Sequence, residues 1–205
     1  MNYETLISFL GASLLLTIMP GPDLIYVLVQ SITNGKKYGI VTGFGLVTGI
    51  LIHTTLVAFG VSAILKTSEN LFFIIKLFGA LYLVYLAYQT FISNEKILLN
   101  AKVEKKGLLK LYKQGFIMNV LNPKVSIFFL AFFPGFLYST TQNTIVQFYV
   151  LGFIFILQSL IIFTIVSTLS GKFSNYLKQH PTFNKRLKWV KIIVFIAMAL
   201  FILFF

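Results

Sequence analysis

The chain has 205 residues, of which 58% are hydrophobic and only 11% charged. A soluble domain carries about 25% charged residues, so this composition excludes one and reads as an all-α integral membrane protein. There is no cysteine, which excludes disulfides, iron–sulfur clusters and thiol redox chemistry.

The N-terminal stretch Met1-Asn2-Tyr3-Glu4 lacks a basic region, and no small-residue cleavage site follows the apolar run. The first helix is therefore expected to stay in the protein rather than act as a cleaved signal. Six apolar segments of spanning length follow in order, roughly 4–31, 38–65, 70–92, 112–138, 143–170 and 187–205. The reading is one transmembrane domain over 1–205, with a first half at about 4–92, a basic loop at about 93–111 and a second half at about 112–205.

The first span is interrupted. Met19 is followed by Pro20, Gly21, Pro22 and Asp23, the only aspartate of the chain. Neither proline offers a backbone N–H, and each disfavours helix before it, so the helix breaks where the charge sits. A broken helix at membrane depth is tolerated where it lines a cavity or is covered by protein. A carboxylate there costs roughly 2.5–3.5 kcal/mol on insertion scales and marks a functional site by default. The plainer alternative is a proline kink in which Asp23 caps the following half-helix.

The second span carries Gly39, Gly43, Gly45 and Gly49, two small-xxx-small pairs suited to close helix packing. His53 follows in the same span, either as a hydrogen-bonded structural group or as a proton relay with Asp23. In the third span Lys76 either snorkels to the interface or lies on an anion path. Tyr82, Tyr85 and Gln89 follow at helical spacing and share a face.

The fourth span breaks as the first does, at Asn119-Val-Leu-Asn122-Pro123-Lys124. Asn119 and Asn122 face the cavity if the break lines one, or else satisfy freed backbone groups. Each half thus opens on a proline-broken span carrying a charge, and three spans per half give the halves opposite topology. This is the inverted-repeat plan of many secondary transporters, with the site at discontinuous helices near the midplane. Asp23 and Lys124 have opposite signs, so they could pair, either as a static link or in competition with a substrate bearing both an amino and a carboxyl group. Gln158 is a polar residue at membrane depth in the fifth span.

The 17 lysines and arginines are distributed unevenly. Lys36 and Lys37 lie in the first loop. Lys96, Lys102, Lys105, Lys106, Lys110 and Lys113 lie in or beside the third. Lys172, Lys178, Lys185, Arg186, Lys188 and Lys191 lie in or beside the fifth. Only Lys66 lies on the opposite side. The positive-inside rule then puts these three loops in the cytoplasm and both termini outside, as expected of a multi-pass protein of a bacterial inner membrane. The net charge of +12 belongs to these loops and does not point to nucleic acid. Glu4, Glu69, Glu95, Glu104 and His180 fall at span ends or in loops. No metal cluster, nucleophile–base pair or phosphate loop can be read, so neither an enzyme nor a cofactor is expected.

Several motifs together resemble the lysine exporter and homoserine–threonine resistance family of amino-acid efflux proteins. They are Pro20-Gly21-Pro22-Asp23, the basic turn Asn34-Gly35-Lys36-Lys37-Tyr38-Gly39, the glycines of the second span with His53, Lys76-Leu-Phe-Gly79-Ala80-Leu-Tyr82-Leu-Val-Tyr85, and Gly115 through Pro134 with Asn119, Asn122, Pro123 and Lys124. They cover 17–134 in order; the final third shares only hydropathy. Where many relatives carry an acidic or amide residue after the last glycine of the second span, this chain has Ile50 after Gly49.

The resemblance implies export of amino acids or related small metabolites driven by the proton motive force. The expected partners are the substrate, protons and the lipid bilayer, with a homo-oligomer left open. In that reading Asp23 takes the substrate ammonium or the coupling proton, and Lys124 pairs with it or takes the carboxylate. The alternatives from other classes are a membrane-embedded binding or scaffold protein without a transport cycle, and a channel, which the two opposite charges disfavour.

Overall fold

The structure is a computed structural model that describes residues 3–93, 106–139, 141–179 and 182–204. Glu95, Lys96, Lys102, Glu104, Lys105 and His180 lie outside the described residues. The elements are α1 (Tyr3–Ile18), α2 (Pro22–Asn34), α3 (Lys36–Leu56), α4 (Ser62–Thr67), α5 (Glu69–Ile92), α6 (Leu108–Val120), α7 (Pro123–Ile127), α8 (Thr144–Thr168), α9 (Ser170–Gln179) and α10 (Thr182–Phe204). All described regular structure is helical. A π-helical turn at Val57–Val61 joins α3 to α4, and a second at Phe128–Phe132 prolongs α7 into a 3₁₀ turn at Phe133–Phe136.

Four helices are long and apolar enough to cross a membrane: Lys36–Leu65, Glu69–Ile92, Thr144–Thr168 and Lys185–Phe204. Two bent pairs qualify jointly. The α1–α2 pair bends by 57° at Met19-Pro20-Gly21, and Leu108–Val120 bends by 48° against Pro123–Phe136. The protein is thus a multi-pass membrane protein whose two proline breaks fall where the sequence predicts them. The connection expected at 171–186 contains a helix, α9, that follows α8 almost without interruption.

Contacts fix the direction of each helix. Phe9 near the start of α1 packs on Phe133 and Phe136 at centroid distances of 5.3 Å each, and Phe133 stacks on Phe148 near the start of α8. The start of α1, the end of the α7 segment and the start of α8 therefore share one end. At the other end a Cβ on Gly39 would collide with Ser31 of α2 and lie 2.7 Å from Ser167 Oγ of α8. The Lys188 ammonium donates to the Ser93 carbonyl at 2.8 Å, joining the end of α5 to α10. Phe201, late in α10, lies 4.8 Å from Phe132 and stacks on Phe136, so α10 runs back to the first end. Lys36, Lys37, Lys106, Lys110, Lys113, Lys172, Lys185, Arg186 and Lys188 consequently gather at the same end of the bundle.

Lipid tails are as apolar as the helices, so water exclusion does not drive helix association here; packing does. The core is a cluster of phenylalanines, with Phe9, Phe128, Phe129, Phe133, Phe136 and Phe148 completely buried. Aromatic pairs contribute about 0.5–1.5 kcal/mol each beyond area burial. Phe44, Phe73, Phe78, Leu81, Tyr88, Phe153 and Ile193 point outward, as expected of faces turned to lipid.

Candidate functional site: a cavity between two helix breaks

Each break has its own local cause. Gly21, in extended conformation, is the residue before α2, Pro22 is the first helical residue, and no side chain caps the helix. Asp23 therefore lies inside the first turn and does not cap α2, which corrects the plainer expectation for this residue. The second break is capped, because Asn122 Oδ1 accepts from the Lys124 backbone N–H at 3.1 Å.

The two breaks meet. The Lys124 ammonium crosses from the second to donate to the Leu16 carbonyl at 3.0 Å, one turn before the first break. A Cβ at Gly21 would stand 3.5 Å from Lys124 Nζ, so the lysine lies directly against the glycine of the Pro-Gly-Pro turn. From the same side, Asn119 Nδ2 donates to Asp23 Oδ2 at 3.4 Å. That separation is long for an N–H···O bond. Asp23 and Lys124 do not approach within the 4.0 Å of an ion pair. Each charge is held by a neutral group of the opposite break.

Between them lies a cavity of about 30 Å³ lined by Thr17, Asp23, Asn119, Asn122, Lys124 and Ser159 together with apolar side chains that include Ile50, Phe155 and Phe163. Its volume suits roughly one or two waters, far below the 300 Å³ or more of a typical ligand site. Asp23 Oδ1 and Asn119 Oδ1 are both buried with no hydrogen-bond partner among the described residues. Leaving a buried polar atom unpaired costs about 1–3 kcal/mol. The arrangement thus offers two acceptors suited to an ammonium group, and a lysine suited to a carboxylate.

His53 belongs to the same neighbourhood. Its Nε2 lies 3.1 Å from the Asn119 carbonyl, and its ring packs 5.6 Å from that of Phe129. Asn119 therefore touches both Asp23 and His53. The close approach of α3 to α6 makes this contact. A Cβ on Gly45 would collide with the Tyr112 carbonyl, one on Gly115 with the Thr42 carbonyl, and one on Gly49 would lie 2.7 Å from Asn119 Oδ1. Gly43 meets Phe163 of α8 in the same way, with 2.9 Å to its Cβ.

Lys76 and Tyr85 are not brought to this cavity. Lys76 sits near the opposite end, with its ammonium 5.9 Å from the centre of the Phe72 ring, beside a separate cavity of about 60 Å³ among α5, the 3₁₀ turn and α10. Tyr85 is half exposed on the outer face of α5 and accepts from Gln89 Nε2 at 2.8 Å. Sequence reasoning singled out Gln158 but not its neighbours. Ser13 donates to Gln158 Oε1 at 2.8 Å, and Thr17 and Ser159 hydrogen-bond at 3.1 Å beside the cavity. A search for polar residues at helical spacing on both α1 and α8 would have found Ser13 and Thr17, but serine and threonine are common enough in membrane helices to pass as packing residues.

The family model for LysE type translocators matches residues 14–205. The chain is 30% identical over 178 residues to a homoserine/homoserine lactone efflux protein of Salmonella typhimurium, covering 87% of this chain and 86% of that protein. It is 31% identical over 156 residues to a leucine efflux protein of Salmonella choleraesuis, covering 74% and 71%. No solved structure matches the chain. This match over nearly the full length leads to one conclusion: the chain belongs to the LysE type translocator family, and is a transporter rather than an enzyme.

Proposed function

We propose that this protein exports amino acids or closely related small metabolites across the bacterial inner membrane, from the basic end to the opposite end, driven by the proton motive force. The observation that carries the reading is the meeting of the two breaks, which surrounds one cavity with Asp23, Asn119, Asn122 and Lys124. The relatives' names, homoserine/homoserine lactone efflux protein and leucine efflux protein, support a substrate with an α-amino group and a small neutral side chain. Asp23 and Asn119 receive the ammonium group. Lys124 receives the carboxylate of an amino acid, and keeps the Leu16 carbonyl as its acceptor when the substrate is a lactone, which has no carboxylate. The cavity is far too small for such a substrate, so loading requires the two bent pairs to move apart at their breaks, the element that alternating access would use.

The two halves act as inverted repeats of three spans each, with six spans in all. Support comes from the packing: α3 lies antiparallel to α8 and α5 to α10, the pairs that such a relation makes equivalent. The basic end is cytoplasmic and the termini are outside. Asp23 also carries the coupling proton, with His53, held against the Asn119 carbonyl, as its relay partner. Gly39, Gly43, Gly45 and Gly49 hold α3 close enough to its neighbours to keep that relay in contact, and the breaks at Pro20, Gly21, Pro22 and Pro123 are the hinges. Lys76 and Tyr85 act away from the substrate, at the opposite end and on the outer face of α5.

The test is export itself. Cells expressing the chain should tolerate and accumulate less of an amino acid or dipeptide that inhibits control cells. The efflux should stop with a protonophore. Absence of protonophore-sensitive efflux for every amino acid and homoserine derivative tried would remove the reading.

A further inference from the structure

The cavity does not stand alone: polar side chains continue from it in both directions through an otherwise apolar bundle. Toward the basic end, Asp23, Tyr26, Gln30 and Asn34 recur at spacings of three, four and four and share one face of α2. The last three are joined side chain to side chain, with Asn34 Nδ2 donating to Gln30 Oε1 at 2.9 Å and Gln30 Nε2 to the Tyr26 hydroxyl at 3.0 Å. Gln30 is completely buried. Toward the opposite end, the Thr17–Ser159 contact lines the cavity, and Ser13 with Gln158 lies next to it. Gln158 Nε2 is buried without a hydrogen-bond partner among the described residues. Beyond Ser13 the seam stops at Phe9, packed on Phe133 and Phe136.

A membrane helix gains little from burying amides. Such groups face the bundle interior or a water-filled route, and interhelical hydrogen bonds of this kind contribute only modestly. Among the described residues, the hydrogen bonds of Tyr26, Gln30 and Asn34 join these side chains only to one another on α2, so helix association does not explain them. Its residues offer both donors and acceptors at successive turns, suited to a zwitterion that exchanges water for protein partners as it moves. The orphaned Gln158 amide is a donor for a carboxylate on the far side of Lys124.

We propose that the substrate of this transporter moves along this seam, reaching Asp23 past Asn34, Gln30 and Tyr26 and leaving past Ser159 and Gln158, with the Phe9–Phe133–Phe136 cluster as the closed outer gate. This rests on the export reading above and extends it to a route.

Because the chain has no cysteine, single cysteines report the route directly. Gln30→Cys and Asn34→Cys should react with a charged, membrane-impermeant thiol reagent applied at the basic end, and Gln158→Cys and Ser159→Cys with reagent applied at the opposite end. Each should react at least about tenfold faster than Ile32→Cys or Leu157→Cys, which lie off the seam, since thiol modification follows exposure to water. An exported amino acid added in excess should slow modification at all four seam positions. If the wild type exports but the seam cysteines react no faster than the controls, the route is wrong and the export reading stands. If the wild type exports nothing while the seam is reactive but not protected, both fail as a transport account. Pairing each amide position with a neighbour on the same seam keeps the test informative should Gln30→Cys or Gln158→Cys not reach the membrane.

Discussion

Asn119 of the second broken segment holds Asp23 of the first, through a side-chain hydrogen bond of 3.4 Å, while its backbone carbonyl faces His53. One residue thus connects the aspartate of α2, the histidine of α3 and the break after α6. Asn119→Ala should remove the hydrogen bond to Asp23 Oδ2 and destabilise by about 1–3 kcal/mol, the cost of orphaning a buried polar group. Asn119→Asp should do more harm, because it sets a second carboxylate against the first. Thermal unfolding of the purified proteins in detergent checks the order wild type, Asn119→Ala, Asn119→Asp. Equal stability of the wild type and Asn119→Ala would mean that the amide does not hold Asp23.

The glycines where α3 crosses α6 give a prediction about packing. Gly45→Ala and Gly115→Ala each place a methyl group onto a backbone carbonyl of the facing helix, and neither backbone can retreat as a flexible side chain could. Overpacking of this kind costs about 1–3 kcal/mol, so both variants should be depleted in the membrane. Gly60→Ala and Gly11→Ala meet nothing within 4 Å and should accumulate normally. Immunoblots of membrane fractions decide the matter, and equal levels of all four would contradict the close approach of α3 and α6.

The gathering of the basic residues at one end predicts orientation. Cysteines at Lys106 and Lys185 should be protected in intact cells from an impermeant thiol reagent, and cysteines at Thr141 and Phe205 labelled. Labelling at 106 with protection at 141 would reverse the direction assigned to export.

Much of this architecture was legible in the sequence, for identifiable reasons. Proline breaks have a local steric cause, so both bends lie where Pro20, Pro22 and Pro123 require them. Charge bias is a property of loops and needs no tertiary information. Which polar residues share a cavity does need it. Asp23, Asn119, Asn122 and Lys124 could be grouped because each adjoins a break. Lys76 and Tyr85 have equally suggestive chemistry, but they lie on α5, most of whose surface faces outward, and nothing in the local pattern says which way a helix is turned. Thr17 and Ser159 line the cavity yet read as ordinary small residues of membrane helices. The π-helical turns at Val57–Val61 and Phe128–Phe132 had no sequence signal at all. The same is true of the absence of an Asp23–Lys124 ion pair. Opposite charges at matching breaks suggest one, and only the placement of Leu16 and Asn119 shows that each charge takes a different partner.

Lys76 and Tyr85 supply a contrast. Lys76→Gln and Tyr85→Phe remove a charge and a hydroxyl from α5, outside the cavity. Each should change the efflux rate far less than Asn122→Ala, which removes a residue lining the cavity and the cap of α7. Efflux rates normalised to protein in the membrane test this. A loss of export from Lys76→Gln as severe as that from Asn122→Ala would place the lysine on the route.

The central claim is that Asp23 and Lys124 work on the substrate rather than merely hold the two breaks together. Asp23→Asn preserves size and removes the charge, and no helix cap is lost with it, because Asp23 caps nothing. Neutralising one member of a buried charged set can cost roughly 3–5 kcal/mol by leaving the other uncompensated, so a single variant confuses stability with function. The double variant Asp23→Asn with Lys124→Gln removes both charges together. The decisive measurement is protonophore-sensitive efflux by this double variant, normalised to the folded protein in the membrane and set beside its thermal stability. The account predicts stability recovered toward that of the wild type with export abolished; export at a near-wild-type rate would show the two charges to be structural and would contradict it.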